Sequence, residues 1–449
     1  MFTLKTRNAA AGNGLIIAAF MLICAIFCLV FFDTFINKVV KPRVTDALNK
    51  GYPAYSISIG HLQYSLIRNQ FDIDSVALNS VDGAFKAMVS RLSLSGLDRL
   101  YLFTGGRRGL AGLTGAKLDA KGLRIGFDRS SYAFLCKRLR ASFPDSSLEA
   151  DSINVHPASG DEKFFEGSEF RRTRCELIIP QCKVLGLAFH ELLQGKGYRT
   201  REIRIRGPVF DILVNKEKPA AAEASPPPMP NEALSEIKVN LKIGTLNITD
   251  GRLTYGERFA VRAQPAFVTF EDMMVSAEGI ANRGDRSSRI IIHGQAKFMD
   301  AGTMKVLMEI PATSREFSIH YSGSLSGMNL DALNSYLEPG EQIRIKTGTL
   351  QSATYDISIV SGCARGTLRA IYENLNFAVI NKNTGSEKGL TNRITSFIAN
   401  NFKIRTGNMP DKSGSLEIGK VNFLRKRDTT FLQLLWFSIR SGIKDVVGF

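Results

Sequence analysis

The sequence predicts a mainly β protein. A membrane-spanning helix comes first, then antiparallel strands laid side by side in two segments, then a C-terminal amphipathic helix. Three observations predict it. Residues Gly14–Phe32 are an apolar run without a charge, GLIIAAFMLICAIFCLVFF. Most of the remaining chain alternates apolar and polar residues with a period of two, the pattern of a half-buried strand. One Pro- and Ala-rich stretch, KEKPAAAEASPPPMP at Lys216–Pro230, interrupts that alternation. With 44% hydrophobic and 22% charged among 449 residues, the chain is neither wholly disordered nor a polytopic membrane protein.

Taken in order, residues 1–13 read as a cytoplasmic tail and 14–32 as an uncleaved anchor. At about 1.5 Å per residue the apolar run covers about 28 Å, the thickness of a bilayer's hydrocarbon. A cleaved signal peptide would have a shorter core and small residues before its cut site; here Phe31, Phe32 and Asp33 follow. Lys5 and Arg7 precede the run while Lys38, Lys41 and Arg43 follow it, so nearby basic residues do not favour a cytoplasmic N-terminus, although long C-terminal domains are translocated largely regardless of charge. The first β-rich region, 44–214, alternates at Phe71 and Ile73 and at Ile203 and Ile205. It also holds helical candidates near Ser130–Ala141 and Gly186–Gly195 and a Gly-rich loop at Gly105–Gly115.

The interruption at 215–235 reads as a linker, semi-rigid where its prolines cluster. The second β-rich region, 236–428, opens on EIKVNLKI, with Ile237, Val239, Leu241 and Ile243 on one face. It continues through Ile343 and Ile345 and through Tyr355, Ile357 and Ile359. Gly-Ser/Thr-Leu recurs at Gly244, Gly323, Gly348, Gly366 and Gly414 at irregular spacing, which excludes a fixed-length solenoid or propeller and suggests bulges or tight corners. A helix is expected near 390–402, and another in 429–449 with Leu432, Leu435, Trp436, Ile439 and Ile443 as its stripe. Two roles stay open for that last helix: capping the sheet, or lying at a membrane interface.

The chemistry-bearing residues point away from catalysis. The five histidines, His61, His156, His190, His293 and His320, are scattered. No H-E-x-x-H, G-x-S-x-G or G-x-x-x-x-G-K-[ST] pattern occurs. No enzyme activity, cofactor or metal site is expected. Cys175 and Cys182 leave two readings, a short-loop disulfide or small buried hydrophobes. The net charge of +16 suggests an anionic partner. Basic residues crowd one stretch that includes Arg107, Arg108, Lys137, Arg138 and Arg140. Nucleic acid would call for stacking aromatics on a recognised binding fold, and none is visible. A lipid headgroup surface is the functional reading, and a plain solvated face the other.

Several segments together carry a family resemblance: YSISIGHLQYSLIRNQFDIDSVAL at Tyr55–Leu78, IGTLNITDGRLTYGERF at Ile243–Phe259 and FVTFEDMMVSAEGI at Phe267–Ile280. YSGSLSGMNLDALNSYL at Tyr321–Leu337, KTGTLQSATYDISI at Lys346–Ile359 and the terminal FLQLLWFSIRSGIKDVVGF complete it. With the single N-terminal anchor, the chain resembles the AsmA-like superfamily of membrane-anchored, repeating β-groove proteins (AsmA/TamB type). The Gly-rich and Cys-containing text of residues 100–200 departs from that pattern. The resemblance implies an elongated, curled, groove or taco-like sheet on a single-pass inner-membrane protein with its body in the periplasm. It implies a role in moving phospholipid toward the outer envelope or in maintaining that envelope. Candidate groove-lining residues are Ile237, Val239, Leu241, Ile343, Ile345, Tyr355, Ile357 and Ile359; the same faces would equally fill a closed sandwich core. The expected partners are phospholipid, the inner membrane and envelope proteins at the C-terminal end. A different class of function stands beside it, an anchored scaffold that binds envelope assembly proteins through its sheet edge or terminal helix.

Overall fold

The computed structural model describes residues 34–65, 67–98, 113–127, 131–219, 226–260, 263–284, 288–312, 317–380 and 405–448. The predicted anchor at 14–32 with its tail, the helix expected near 390–402, and Arg107 and Arg108 lie outside them. Among the described residues no helix is long and apolar enough to cross a membrane. The chain is mainly β and divides into two compact units at Pro144/Asp145.

The first unit begins with a π-helical turn, Ile36–Val40, that runs into α1 (Lys41–Gly51). Pro42 explains the widened turn. It has no N–H to complete the ordinary ladder, and the Lys41 N–H reaches back five residues to Ile36 O instead. Five antiparallel strands follow as a meander: β1 (Tyr55–Ser65), β2 (Gln70–Ser80), β3 (Lys86–Ser95), β4 (Lys117–Phe127) and β5 (Tyr132–Ser142). In each strand the alternation changes phase at one residue: Gly60, Ser75, Ser90, Gly122 and Lys137. These five stand opposite one another and form a crease across the unit. Gly122 has φ +65 and Ser90 Oγ lies 2.6 Å from where its Cβ would be, so a side chain there would be strained and would displace the Ser90 hydroxyl.

That crease corrects one expectation. Of the stretch expected to be helical, Tyr132–Ala141 lies in strand β5. A phase change at Lys137 turns Tyr132, Phe134, Cys136, Leu139 and Ala141 into a pattern that imitates helical spacing. Pairing along the whole of β4 decides the matter.

The second unit contains β6 (Ser147–Pro157), β7 (Thr173–Leu185), β8 (Gly197–Arg206) and β9 (Val209–Asn215). Then come β10 (Asn240–Arg258), β11 (Ala266–Ala281), β12 (Arg289–Phe298), β13 (Gly302–Pro311), β14 (Ser318–Asn329), β15 (Ile343–Val360), β16 (Cys363–Val379) and β17 (Ile418–Leu424). From β10 to β17 every neighbour is antiparallel. The sheet is not antiparallel throughout, however. β8 and β9 lie end to end, broken at Gly207-Pro208, and both pair with β10 in parallel. A parallel pair needs a long crossover, and the Pro- and Ala-rich stretch is part of it. The segment expected to separate two bodies therefore lies inside the second unit.

Among the described residues a 3-10 turn, Leu330–Leu333, and five α-helices complete this unit: α2 (Asp161–Glu166), α3 (Phe189–Leu193), α4 (Pro230–Ser235), α5 (Asn334–Glu341) and α6 (Phe431–Val447). α3 is all that forms of the helix expected at 186–195. α6 realises the C-terminal expectation. Thr430 and Gln433 close a capping box at its start, and Gly448 ends it at φ +86. Leu434, Leu435 and Val446 enter the core with Ile319, Tyr321, Tyr355, Ile357, Leu368 and Val421. The helix comes so close that a Cβ on Gly419 would meet Gly442 O at 2.2 Å. Cys175 and Cys182 are both on β7. Seven strand residues separate them by about 23 Å, far beyond the roughly 6.8 Å Cα reach of a disulfide, and neither forms one.

Candidate functional site

The proposed groove-lining residues differ in burial. Ile237 and Val239 precede β10 and Leu241 is its second residue; all three are half-buried. Asn282 holds this segment, donating from Nδ2 to Ile237 O and Val239 O at 2.8 Å while Oδ1 accepts from Leu241 N at 2.8 Å. Ile343 is half-buried at the start of β15, while Ile345, Tyr355 and Ile359 are core residues beside Ile357. Ile357 and Ile359 are 0% exposed. α6 supplies the reason: Tyr321 OH donates to Leu435 O at 3.1 Å, and Phe431 meets Phe317 edge-on at 5.9 Å. Burial pushes the phenols of Tyr321 and Tyr355 well above their ordinary range. At β14–β17 the apolar face is filled by α6.

A second apolar face was not singled out from the sequence. In the first unit, cross-strand register aligns Ile57–Leu78–Ala87–Ile125–Phe134 and Ile59–Val76–Val89–Leu123–Cys136 on one side of the crease. On the other side it aligns Leu62–Ile73–Leu92–Ala120–Leu139 and Tyr64–Phe71–Leu94–Leu118–Ala141. Only Leu62, Ala120, Cys136 and Ala141 of these are buried; the rest are half-buried. α1 buries none of its own residues and packs along β1. The signal was present in the sequence. Each strand alternates, and Gly60 and Gly122 mark the positions where the alternation must be restarted.

The opposite face of the same strands is polar and basic. Arg91, Lys121 and Arg138 stand directly opposite one another on β3, β4 and β5. Like charges in such register repel, and carboxylates relieve them at the margins: Arg91 pairs with Asp74 at 3.0 Å and Arg138 with Asp119 at 2.6 Å. The hydrogen bond from Arg138 holds the Asp119 carboxyl below its ordinary value, against the opposing effect of partial burial. Of the basic candidates, Lys137 lies on the crease, and Arg138 and Arg140 lie on this polar face.

The densest buried charge lies elsewhere. Arg174 on β7 pairs with Asp161 at 3.0 Å and Asp211 at 3.1 Å, and Arg258 on β10 pairs with Glu162 at 2.9 Å. These pairs pin α2, so that Phe164 and Phe165 are buried. Glu257 receives Lys216 Nζ at 2.7 Å, Tyr255 OH at 2.8 Å and Tyr336 OH at 3.3 Å. Every charge in this knot has a protein partner, and its work is to hold elements together.

No protein-family model matches the chain, and no curated protein sequence does.

Proposed function

We propose that the chain is a membrane-anchored, lipid-shielding protein that carries phospholipid acyl chains on an apolar β-sheet face, in the manner of the AsmA-like superfamily it resembles. Its anchor would lie in an inner membrane and its body in the periplasm. Its role would be to move phospholipid toward the outer envelope or maintain that envelope. The single observation carrying this reading is the half-buried apolar face of the first unit, four aligned rows across five strands. Five strands at about 4.8 Å give a width of about 19 Å, and ten residues along a strand give about 33 Å. One leaflet of acyl chain is about 15 Å long, half the hydrocarbon thickness. The face therefore accommodates it in either direction while β-strand alternation keeps the polar side in water.

The scaffold reading depends on an available sheet edge or on the terminal helix, and the structure favours it less. α6 commits Leu434, Leu435 and Val446 to the core while Leu432, Trp436 and Ile443 stay exposed, and it also occupies the outer edge of β17. Asp445 Oδ2 accepts from Lys420 N at 2.8 Å and Ser441 Oγ accepts from Asn422 N at 3.2 Å.

Photo-crosslinking tests the proposal in the full-length protein. A crosslinker at Val89 or Leu123, on the apolar face, is expected to capture phospholipid; one at Met88, on the opposite face, is not. Lipid-free products at both apolar positions sink the proposal.

A further inference from the structure

The way α1 is attached to β1 fixes which end of the apolar face meets the bilayer. Asn37 Nδ2 donates to Leu62 O at 2.8 Å, and its Oδ1 accepts from Leu62 N at 2.9 Å. Asn49 repeats the arrangement on Ile57, at 3.1 Å and 2.7 Å. A side-chain amide is chemically a peptide unit, so each Asn replaces one residue of a missing neighbour strand on the edge of β1 opposite β2. The spacings agree. Twelve helical residues cover about 18 Å, and the five strand residues from Ile57 to Leu62 cover about 16.5 Å. The helix is thus held at two points and runs opposite to β1, its N-terminal end beside Leu62 and Tyr64.

Asn37 follows the predicted end of the anchor, Phe32, by five residues, at most about 18 Å of chain. The Tyr64 end of the strands is therefore the end nearest the membrane. The β1–β2 hairpin tip lies there, and it carries Ile67, 96% exposed, followed by Arg68 and Asn69. The β2–β3 hairpin lies at the other end of β2, about 33 Å away. Its tip carries Val81, 71% exposed, followed by Asp82. An isolated exposed apolar residue is ordinary. Two such residues with opposite neighbouring charge, at opposite ends of one anchored strand, make a directional pair. A cation beside an apolar tip suits an anionic lipid interface, and an acid does not.

Resting on the lipid-carrying reading above, we propose that the Ile67–Arg68 tip dips into the headgroup–acyl boundary of the membrane that holds the anchor. The adjoining row, Tyr64–Phe71–Leu94–Leu118, is then the mouth by which an acyl chain passes onto the apolar face. Tyr64 and Phe71 stand there with ring centroids 4.5 Å apart.

Tryptophan depth measurement tests this in full-length protein reconstituted into phosphatidylethanolamine–phosphatidylglycerol vesicles with brominated acyl chains. The background carries Trp436→Phe, removing the one native tryptophan. Ile67→Trp is expected to emit at shorter wavelength and to be quenched about twofold or more by bromolipid, as at an interface; Val81→Trp is expected to show neither effect. Both sites are exposed tips, so folding is spared. Absence of quenching at position 67, or equal quenching at 67 and 81, overturns the proposal. Crosslinking from Val89 separates the two readings. Lipid captured there with position 67 dry defeats the membrane-facing tip alone. Quenching at 67 with no lipid at Val89 defeats the lipid-carrying face and, with it, the mouth, leaving only membrane contact.

Discussion

Two apolar sheet faces in this chain are written in the same alternating code and end differently. In the second unit, α6 lies on the face, and Leu434 and Val446 close over Ile357, Leu368 and Val421. In the first unit, the π-helical turn and α1 lie along an edge, held by Asn37 and Asn49, and bury only Ile36 of their own residues. The face it borders keeps half-buried side chains across five strands. Alternation decides which residues share a side. Whether that side is filled depends on where the flanking helix places its apolar stripe.

The largest expected effect breaks or sustains this contrast directly. Leu434→Ala removes a fully enclosed side chain and should cost about 2–5 kcal/mol, because a lost contact and a residual cavity add. Val89→Ala, at a half-buried position of the other face, should cost about 1 kcal/mol or less, a partial share of the burial value. Denaturant unfolding of each variant measures both. Equal costs would mean that the first face is as closed as the second.

Edge attachment comes next. Asn37→Ala and Asn49→Ala each remove a donor and an acceptor from β1, a loss of about 1–2 kcal/mol for two modest hydrogen bonds. Amide hydrogen exchange should quicken at Leu62 in the first variant and at Ile57 in the second. Asn→Asp should rescue only the amide's acceptor and leave the strand carbonyl unpaired. On the far edge of the second unit, Ser441→Ala removes one acceptor from Asn422 N and should cost about 0.5–1 kcal/mol. If exchange at Asn422 stays unchanged, α6 guards β17 by packing alone. The geometry argues otherwise: four helical residues rise about 6 Å, close to the roughly 6.7 Å between Lys420 and Asn422 on the strand.

These clasps show where sequence reading reached its limit. The β alternation and the C-terminal helix were legible, because each is a local pattern; of the helix's expected stripe, Leu435 and Ile439 pack on the core while Leu432, Trp436 and Ile443 are exposed. Asn37 in a helix reads as a surface polar residue; its partner is Leu62, and only the tertiary arrangement joins them. The same clasp recurs where Asn334 grips both backbone groups of Ile345, and no spacing rule announces it. β5 was misread because the crease at Lys137 disguised a period of two. The parallel join of β8 and β9 to β10 was invisible, since composition marks a crossover and a linker alike. The groove candidates on β15 had the right alternation, but nothing in IRIKTGTLQSATYDISIV says that α6 covers it.

The smallest effect lies on the polar side of the first unit. Asp119 accepts Arg138 Nε at 2.9 Å and Nη2 at 2.6 Å, and this lowers its pKa below the unfolded carboxyl value of about 3.9. For a group depressed on folding, the stabilisation is fully present above the unfolded value and disappears as pH falls through the folded one. Asp119→Asn should therefore lower stability by less than about 1 kcal/mol at neutral pH, as a partly exposed pair does. That gap should close below about pH 4, where the native carboxyl is increasingly protonated. Added salt should shrink the neutral-pH gap as well, by screening the pair. A gap that persists in acid would assign Asp119 a packing role. A gap that closes would make it a counter-charge for the Arg91–Lys121–Arg138 row, which keeps three cations in register on the side turned away from the apolar face.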